Sequence, residues 1–394
     1  MTDKQILWLA PEIWAVDGSV SYHITNQLRK KYPVLCCNSI GIRRPALKGS
    51  DLAKAFGRIK KIFYGAKEVS PNLWVYSPFG VPASMGAWTT PVNNNLASWQ
   101  IKNMLRALDF DLENLLVWVS FPGWAPVLKS LNIPPERTVT HFFDRWEAFG
   151  RVDKDFILEL RAEIMAQSGA VLSSGLELAE ELKAIHPQVS YAPHGLDLET
   201  FSPDPQAERP KMMQAISGPI AGYFGKISSF WLDFKLLLHC AQRAPQISWV
   251  IIGHVDFISE EDQPAVDALM ALPNVYFPGF INHTELPAYS VHFDLGLMPS
   301  KDNSLTQSSA PLKLAEYLAL GLPIISTIPQ QYGELTDYVT VTGRDPEDFL
   351  QAVLAQIDAP DTERQRRRQA VASNSWEQRV GSYLEMLRSA GIDI

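Results

Sequence analysis

The chain alternates short, uniformly apolar runs with longer stretches in which apolar residues return every three or four positions. ILWLA (6–10) leads through a glycine-bearing loop to the helical SYHITNQLRKK (21–31) and then to the apolar PVLCCNS (33–39). A run of four to eight apolar residues reads as a strand covered on both faces, and the three-to-four spacing as a helix with one buried stripe. The alternation resumes in LLVWVS (115–120), RTVTHFF (137–143), helical KDFILELRAEIMAQS (154–168), AVLSS (170–174), helical LELAEELKAIH (176–186) and VSYAP (189–193). This order of elements predicts an α/β fold built on a parallel sheet.

The pattern lapses in SPDPQAERPKMMQAISGP (202–219), which is rich in Pro, Ser and charge, and an interdomain linker is expected there. A second series follows: IAGYFG (220–225), helical FWLDFKLLLHCAQRA (230–244), ISWVIIG (247–253), helical DQPAVDALMAL (262–272), NVYFPG (274–279), helical HTELPAYSV (283–291) and DLGLMP (294–299). After a polar loop, SKDNSLTQSSA (300–310), come helical PLKLAEYLAL (311–320) and LPIIST (322–327). With 394 residues, too many for one core, the chain is expected to hold two doubly wound domains, 1–201 and 220–374. The final helical segment, within 375–394, is expected to return to the first domain.

Composition narrows the setting. Hydrophobic residues at 46% and charged residues at 20% describe an ordinary globular protein. The opening MTDKQILWLAPEIWAV is too short an apolar run for a secretory leader, and LLVWVSFPGWAPVL (115–128) is broken by Pro122, Gly123 and Pro126, so no membrane span is expected. Cys36, Cys37 and Cys240 give neither a disulfide framework nor metal-ligand spacing, which favours a reducing compartment, the cytoplasm. A net charge of −8 argues against nucleic acid as a partner. The charge is uneven, because residues 29–68 carry eleven basic side chains against two acidic ones. Within them Leu52, Phe56, Ile59 and Phe63 form an apolar stripe flanked by Lys54, Arg58, Lys60 and Lys61. Such a helix either packs on the core with a solvated basic face or docks peripherally on an anionic membrane, here the inner face.

The candidate chemistry lies at strand ends. In open α/β sheets ligands bind beyond the carboxyl ends of the strands, and the helix expected at 311–320 begins there with Pro311 in its first turn. Its free amides, that of Leu312 among them, favour an anion, most often a phosphate. Lys313 in that first turn opposes the helix dipole unless an anion is present. Glu316, one turn on, is placed to accept hydrogen bonds from sugar hydroxyls. The competing reading is a solvent-facing ion pair between the two, worth ~0.2–0.5 kcal/mol. Gly225 and Lys226 close the strand of IAGYFGKIS (220–228) at the same sheet mouth, the glycine permitting close backbone approach and the lysine supplying charge. Neither a P-loop nor a GxGxxG fingerprint occurs.

Together these segments resemble the nucleotide-sugar glycosyltransferases of the GT-B fold, especially family 4 and its relatives in bacterial surface polysaccharide synthesis. The pieces run in family order: Asp17-Gly18-Ser19, APHGLDLETFSP (192–203), GYFGKI (222–227), WVIIG (249–253), NVYFPGFI (274–281) and DLGLMPSKDNSLTQSSAPLKLAEYLALGLPIIST (294–327). The resemblance implies two Rossmann-like domains facing across a cleft, the first binding the acceptor and the second a nucleotide sugar, with UDP the expected carrier and guanine and adenine the alternative bases. It makes Glu316 the ribose-holding residue, Lys226 and Lys313 the partners of the diphosphate, Gly18 part of the first-domain loop, and Gly253, Phe280 and Ile281 the lining of the base pocket. Ser308 stands where retaining members usually carry a glutamate against the transferred sugar, which leaves the sugar and the stereochemical outcome open. HFFDRWEAF (141–149) is similar to a segment of xanthan-type glucuronosyltransferases; Asp144 matches their catalytic base, with His141 beside it for sugar or acceptor. The other reading is that Asp144 caps the following helix. His194 and Gly195 match the turn before the linker.

Asp109-Phe110-Asp111 imitates a metal-binding DxD but precedes a strand and lacks the context. No metal or other cofactor is expected, the nucleotide sugar serving as co-substrate. The expected function is hexosyl transfer to a glycan or lipid-linked acceptor. The alternatives are a GT-B nucleotide-sugar epimerase and a non-catalytic two-lobed binding protein.

Overall fold

The computed structural model of the chain describes residues 4–15, 18–39, 65–79, 91–149, 153–202, 207–309, 311–328 and 332–394. The basic amphipathic segment at 52–63 lies outside them. The chain folds as two compact units, Met1–Pro193 together with Arg379–Ile394, and His194–Gln378.

The first unit is built on eight strands: β1 (Gln5–Leu9), β2 (Val34–Cys37), β3 (Lys67–Ser70), β4 (Leu73–Tyr76), β5 (Leu115–Val119), β6 (Thr138–Phe142), β7 (Ala170–Ser173) and β8 (Val189–Tyr191). Their order is β3-β4-β2-β1-β5-β6-β7-β8, parallel throughout except for β3 against β4. Because helices cover both faces, β5 and β6 are buried at every residue, and no apolar–polar alternation appears in their sequences. Trp8 and Trp118 are register partners on β1 and β5 with ring centroids 5.4 Å apart. The β3–β4 hairpin and the helix Pro91–Ala107 are additions to the expected pattern. The DxD lookalike is a turn: Asp109 has φ 55, Phe110 is buried, and the Asp111 carboxylate accepts from the Glu113 amide and Asn114 Nδ2.

The last helix, Trp376–Ser389, carries Tyr383 into this unit, where its hydroxyl donates to the Pro193 carbonyl over 2.6 Å.

The second unit has six strands: β9 (Ile220–Phe224), β10 (Ser248–Ile252), β11 (Val275–Gly279), β12 (Leu295–Met298), β13 (Ile324–Ser326) and β14 (Val339–Val341). They run parallel in the order β11-β10-β9-β12-β13-β14. Successive side chains of a strand face opposite sides. Tyr223, Trp249 and Ile251 accordingly join one core layer under the helices Phe234–Arg243 and Pro346–Asp358, while Phe224, Val250 and Ile252 join the other, under Leu312–Leu320.

The linker expected at 202–219 is not a free tether in its described part. Met213 and Ile216 are buried in the core of the second unit together with Leu196 and Phe201, so this unit begins at His194. Proline and charge mark a segment that runs over a surface, and two spaced apolar residues suffice to anchor it.

Candidate functional site

The strand order reverses between β9 and β12, with β10 and β11 lying outward on one side and β13 and β14 on the other. In open α/β sheets the carboxyl ends of the strands at such a reversal are where ligands bind. The helix Leu312–Leu320 is held over this point by Tyr317. The Tyr317 hydroxyl accepts from the Phe224 amide (3.3 Å) and lies 3.3 Å from the carbonyls of Gly222 and Leu297, bridging the two strands that flank the reversal. Gly296 in β12 makes the seat possible, since a Cβ there would stand 2.7 Å from the Tyr317 ring. The helix stops at Gly321, which is left-handed, and starts after an extended Pro311 with no side-chain cap and no acidic residue in its first turn. That leaves a partial positive charge at its tip.

Lys313 leaves this first turn toward β9. Its Nζ donates to the Tyr223 hydroxyl (3.0 Å), stands 4.1 Å from the centre of the Tyr223 ring, and comes within 2.9 Å of the point a Cβ on Gly225 would occupy. The Tyr223 hydroxyl in turn donates to the Lys226 carbonyl over 2.8 Å. Helix tip, Gly225 and Lys226 are thus tied into one cluster. Burial pulls the Lys313 ammonium down to about 8, and the charge of Glu316 only partly opposes this. The Lys226 side chain is exposed.

The neighbouring strand ends form a backbone rim. Gly225 donates to the Ile252 carbonyl (3.0 Å) and Gly253 to that of Gly279 (2.9 Å). The chains approach so closely that a Cβ on Gly253 would lie 1.8 Å from the Gly225 carbonyl oxygen, so no other residue fits there. Phe280, next on the rim, is 63% exposed, while Ile281 packs against the core. A flat backbone ledge beside an exposed aromatic ring suits a planar heterocycle.

Glu316 faces neither bulk water nor Lys313. Its side chain is 10% exposed, and His283 donates from Nε2 to its Oε1 over 2.7 Å. The solvent-facing Lys313–Glu316 ion pair is therefore not what the structure contains. The expected polar loop at 300–310 includes one helical turn, Ser304–Ser308, capped reciprocally by Asn303 and Thr306. Ser308 ends this turn, before the helix that Leu312 begins. Lys301 pairs with Asp262 over 2.9 Å, linking the loops that follow β12 and β10. Burial pushes the Asp262 carboxyl up, but Lys301 and the Ser229 and Ser259 hydroxyls outweigh it and hold the group below its ordinary value.

Gly18, His141 and Asp144 belong to the first unit. Gly18 adopts φ 81 just before Ser19, which caps the helix Val20–Leu28. His141 requires a correction. It has no exposed surface, with Ser174 Oγ 3.2 Å from Nε2 and the rings of Trp118, Phe143 and Tyr383 around it, so it is a core histidine and no substrate reaches it. Asp144 follows β6 and is partly exposed. The helix Lys154–Ala166 is capped by Asp153, and a short helical turn, Trp146–Ala148, follows Asp144 directly. The residues after Asp144 are held by Arg145 and Arg161, which pair with Glu147 and Glu181 at 2.5–3.6 Å. In the second unit, Gly195 lies flush against Trp376, 2.6 Å from its would-be Cβ, so its role is steric. Two contributors escaped the sequence reading. Tyr223 hides inside a strand run, and His283 is one polar residue in a loop; its place just beyond a strand end was the available signal.

Comparison with known proteins agrees with this geometry. Residues 218–358, from β9 through the helix Pro346–Asp358, match the family described as Glycosyl transferases group 1. A putative teichuronic acid biosynthesis glycosyltransferase of Bacillus subtilis, TuaH, is 29% identical over 282 residues, covering 67% of this chain and 69% of that protein. The chain is a glycosyltransferase of the GT-B fold. Solved GT-B structures superpose over nearly its full length. Sucrose-phosphate synthase of Thermosynechococcus elongatus matches with TM-score 0.71 at 15% identity, covering 98% of this chain and 99% of that one. Anabaena HepE in complex with UDP and glucose matches with TM-score 0.65 at 14% identity, covering 98% of this chain and 100% of that one. At such identities these two likenesses concern the fold alone. Within this GT-B enzyme the helix tip, the lysine pair and the glycine rim all fall inside the matched glycosyl transferase segment.

Proposed function

We propose that this glycosyltransferase moves a hexosyl group from a UDP-sugar to a glycan or lipid-linked acceptor during the synthesis of a bacterial surface polysaccharide. The observation that carries the reading is Lys313: a half-buried ammonium, pulled down to about 8 by desolvation, set against Tyr223 and Gly225 beside an uncapped helix tip. A cation held in this way beside a helix tip is a site prepared for an anion, and a diphosphate is an anion that can meet two lysines. The relative in teichuronic acid biosynthesis and the UDP and UDP-glucose complexes of HepE support the choice of polymer and of donor.

As the bond between the anomeric carbon and the diphosphate oxygen breaks, positive charge grows on the sugar and negative charge on the leaving diphosphate. Lys313, Lys226 and the first-turn amides stabilise the latter without reorganising. Glu316 holds the ribose through its hydroxyls, and the uracil lies on the Gly253–Gly279 ledge beside Phe280 and Ile281, with Leu312 and Ser308 bordering the donor. Asp144 takes the proton of the acceptor hydroxyl, and His141 serves only to pack β6. The charge-rich segment 29–68 brings the enzyme to a membrane-borne acceptor; among the described residues no helix is long and apolar enough to cross a membrane.

The test is a thermal-shift panel of nucleoside diphosphates and their sugars, followed by transfer assays with the stabilising donor. At 100 times its dissociation constant the true donor adds ~2.7 kcal/mol of stability. Isomerised sugar from donor alone would make the protein an epimerase instead, and binding without turnover would make it a binding protein. Failure of every nucleotide to stabilise it defeats the reading.

A further inference from the structure

Tyr317, Leu314 and Leu318 hold the helix on its sheet from the core, and the contact between His283 and Glu316 is made apart from them. Its geometry is nonetheless tightly fixed. The turn that carries His283 is closed by the amides of Glu285 and Leu286, both bonded to the Asn282 carbonyl at 2.9 Å. The imidazole rests on Phe201, which is fully buried, with ring centroids 5.1 Å apart. Nε2 then meets Oε1 of Glu316 at 2.7 Å, short for a nitrogen–oxygen hydrogen bond and typical of a charged acceptor. The other carboxylate oxygen, Oε2, accepts no hydrogen bond from the described residues.

A glutamate on a helix has three torsions to fix before both oxygens point anywhere in particular, and a carboxylate that is 10% exposed is costly to leave unpaired. One donor on Oε1 answers both needs. It satisfies half of the carboxylate and aims the other half, one helical turn beyond the tip where the diphosphate is placed.

Resting on the nucleotide-sugar reading above, we propose that His283 is the positioning residue of the donor site: it fixes Glu316 so that Oε2 takes the ribose hydroxyls, and it thereby sets the enzyme's selection for ribonucleotide donors. It touches no reacting atom, and its effect is confined to the pentose.

The experiment compares the dissociation constants of uridine diphosphate and 2′,3′-dideoxyuridine diphosphate, measured by calorimetry on the wild type and on His283→Ala, His283→Gln and Glu316→Gln, with thermal unfolding of each protein. The wild type is expected to prefer the ribonucleotide by roughly tenfold or more, the range of a hydrogen bond to a charged group. His283→Ala is expected to bring the ratio down to that of Glu316→Gln, while His283→Gln, whose amide nitrogen can stand where Nε2 stands, restores most of it. A purely structural role would lower both affinities together and leave the ratio intact, and that result overturns the assignment. An undiminished ratio in His283→Ala alone sinks the inference and spares the nucleotide-sugar reading, whereas a wild type that binds neither nucleotide sinks both.

Discussion

Replacing Lys313 by Met should make the unliganded protein more stable and its donor site worse, a combination that few mutations produce. The ammonium is drawn from 10.5 to about 8 because folding desolvates it. That drop corresponds to about 3 kcal/mol of stability withheld whenever the lysine is charged in the native state. The stacking of Nζ on Tyr223 offsets ~0.5–2 kcal/mol, and the Tyr223 hydroxyl keeps its own acceptor on Lys226 when the lysine is gone. A methionine of similar length fills the same path, so the net gain near neutral pH should be about 1–3 kcal/mol. The sign follows from proton counting. The unfolded lysine binds its proton more tightly than the native one, so the stability of the wild type rises as pH climbs from about 8 toward 10.5 and the advantage of Lys313→Met shrinks over the same window. Urea unfolding at pH 7 and pH 10, paired with calorimetric titration of UDP, measures both halves. UDP affinity should fall roughly 10–150-fold with the loss of a charged hydrogen-bond donor. A variant that is less stable than wild type at pH 7, or that binds UDP as well, would refute the view of Lys313 as a desolvated cation awaiting an anion.

Four further outcomes are expected. Lys226→Ala, at an exposed side chain, should leave the unfolding midpoint almost unchanged while lowering kcat by roughly 10²–10³, as removal of one preorganised donor does elsewhere; a near-normal rate in a steady-state assay removes it from the leaving-group site. Gly253→Ala drives a methyl group into the Gly225 carbonyl and should cost ~1–3 kcal/mol or more in urea unfolding together with UDP binding, while an unperturbed variant contradicts the close approach of the two strand ends. Asp144→Asn should abolish transfer yet retain the calorimetric affinity for UDP-sugar, and retained transfer would assign the base elsewhere. In the wild type, UDP affinity should decline as pH rises above about 8, because the anion then has to recruit a proton to Lys313; a flat profile from pH 7 to 10 contradicts that coupling.

The residues differ in how visible their roles were along the chain. Lys313 and Glu316 stood out because two charges three residues apart in an otherwise apolar helix carry a desolvation cost that demands a reason. Asp144 reads as base or cap from the chain alone, since both roles ask for the same side chain just beyond a strand; the longer helix that follows takes its cap from Asp153. His141, a polar residue at the end of a strand, looked accessible by position alone; Trp118, Phe143 and Tyr383 enclose it, and Tyr383 comes from more than 200 residues away.

What the chain by itself determined is local. Uniform apolar runs specify strands buried on both faces, the three-to-four spacing specifies their helices, and the repetition of the unit specifies two largely parallel sheets, with ligands expected at the carboxyl ends of their strands. Tertiary structure alone decided which distant groups share a site. It set Tyr223 beneath Lys313, joined His283 to Glu316 across 33 residues, and pressed Gly253 against Gly225. Periodicity reports which face of an element avoids water, whereas these contacts depend on how far one element is shifted and turned against another, and that is settled only when the whole core closes.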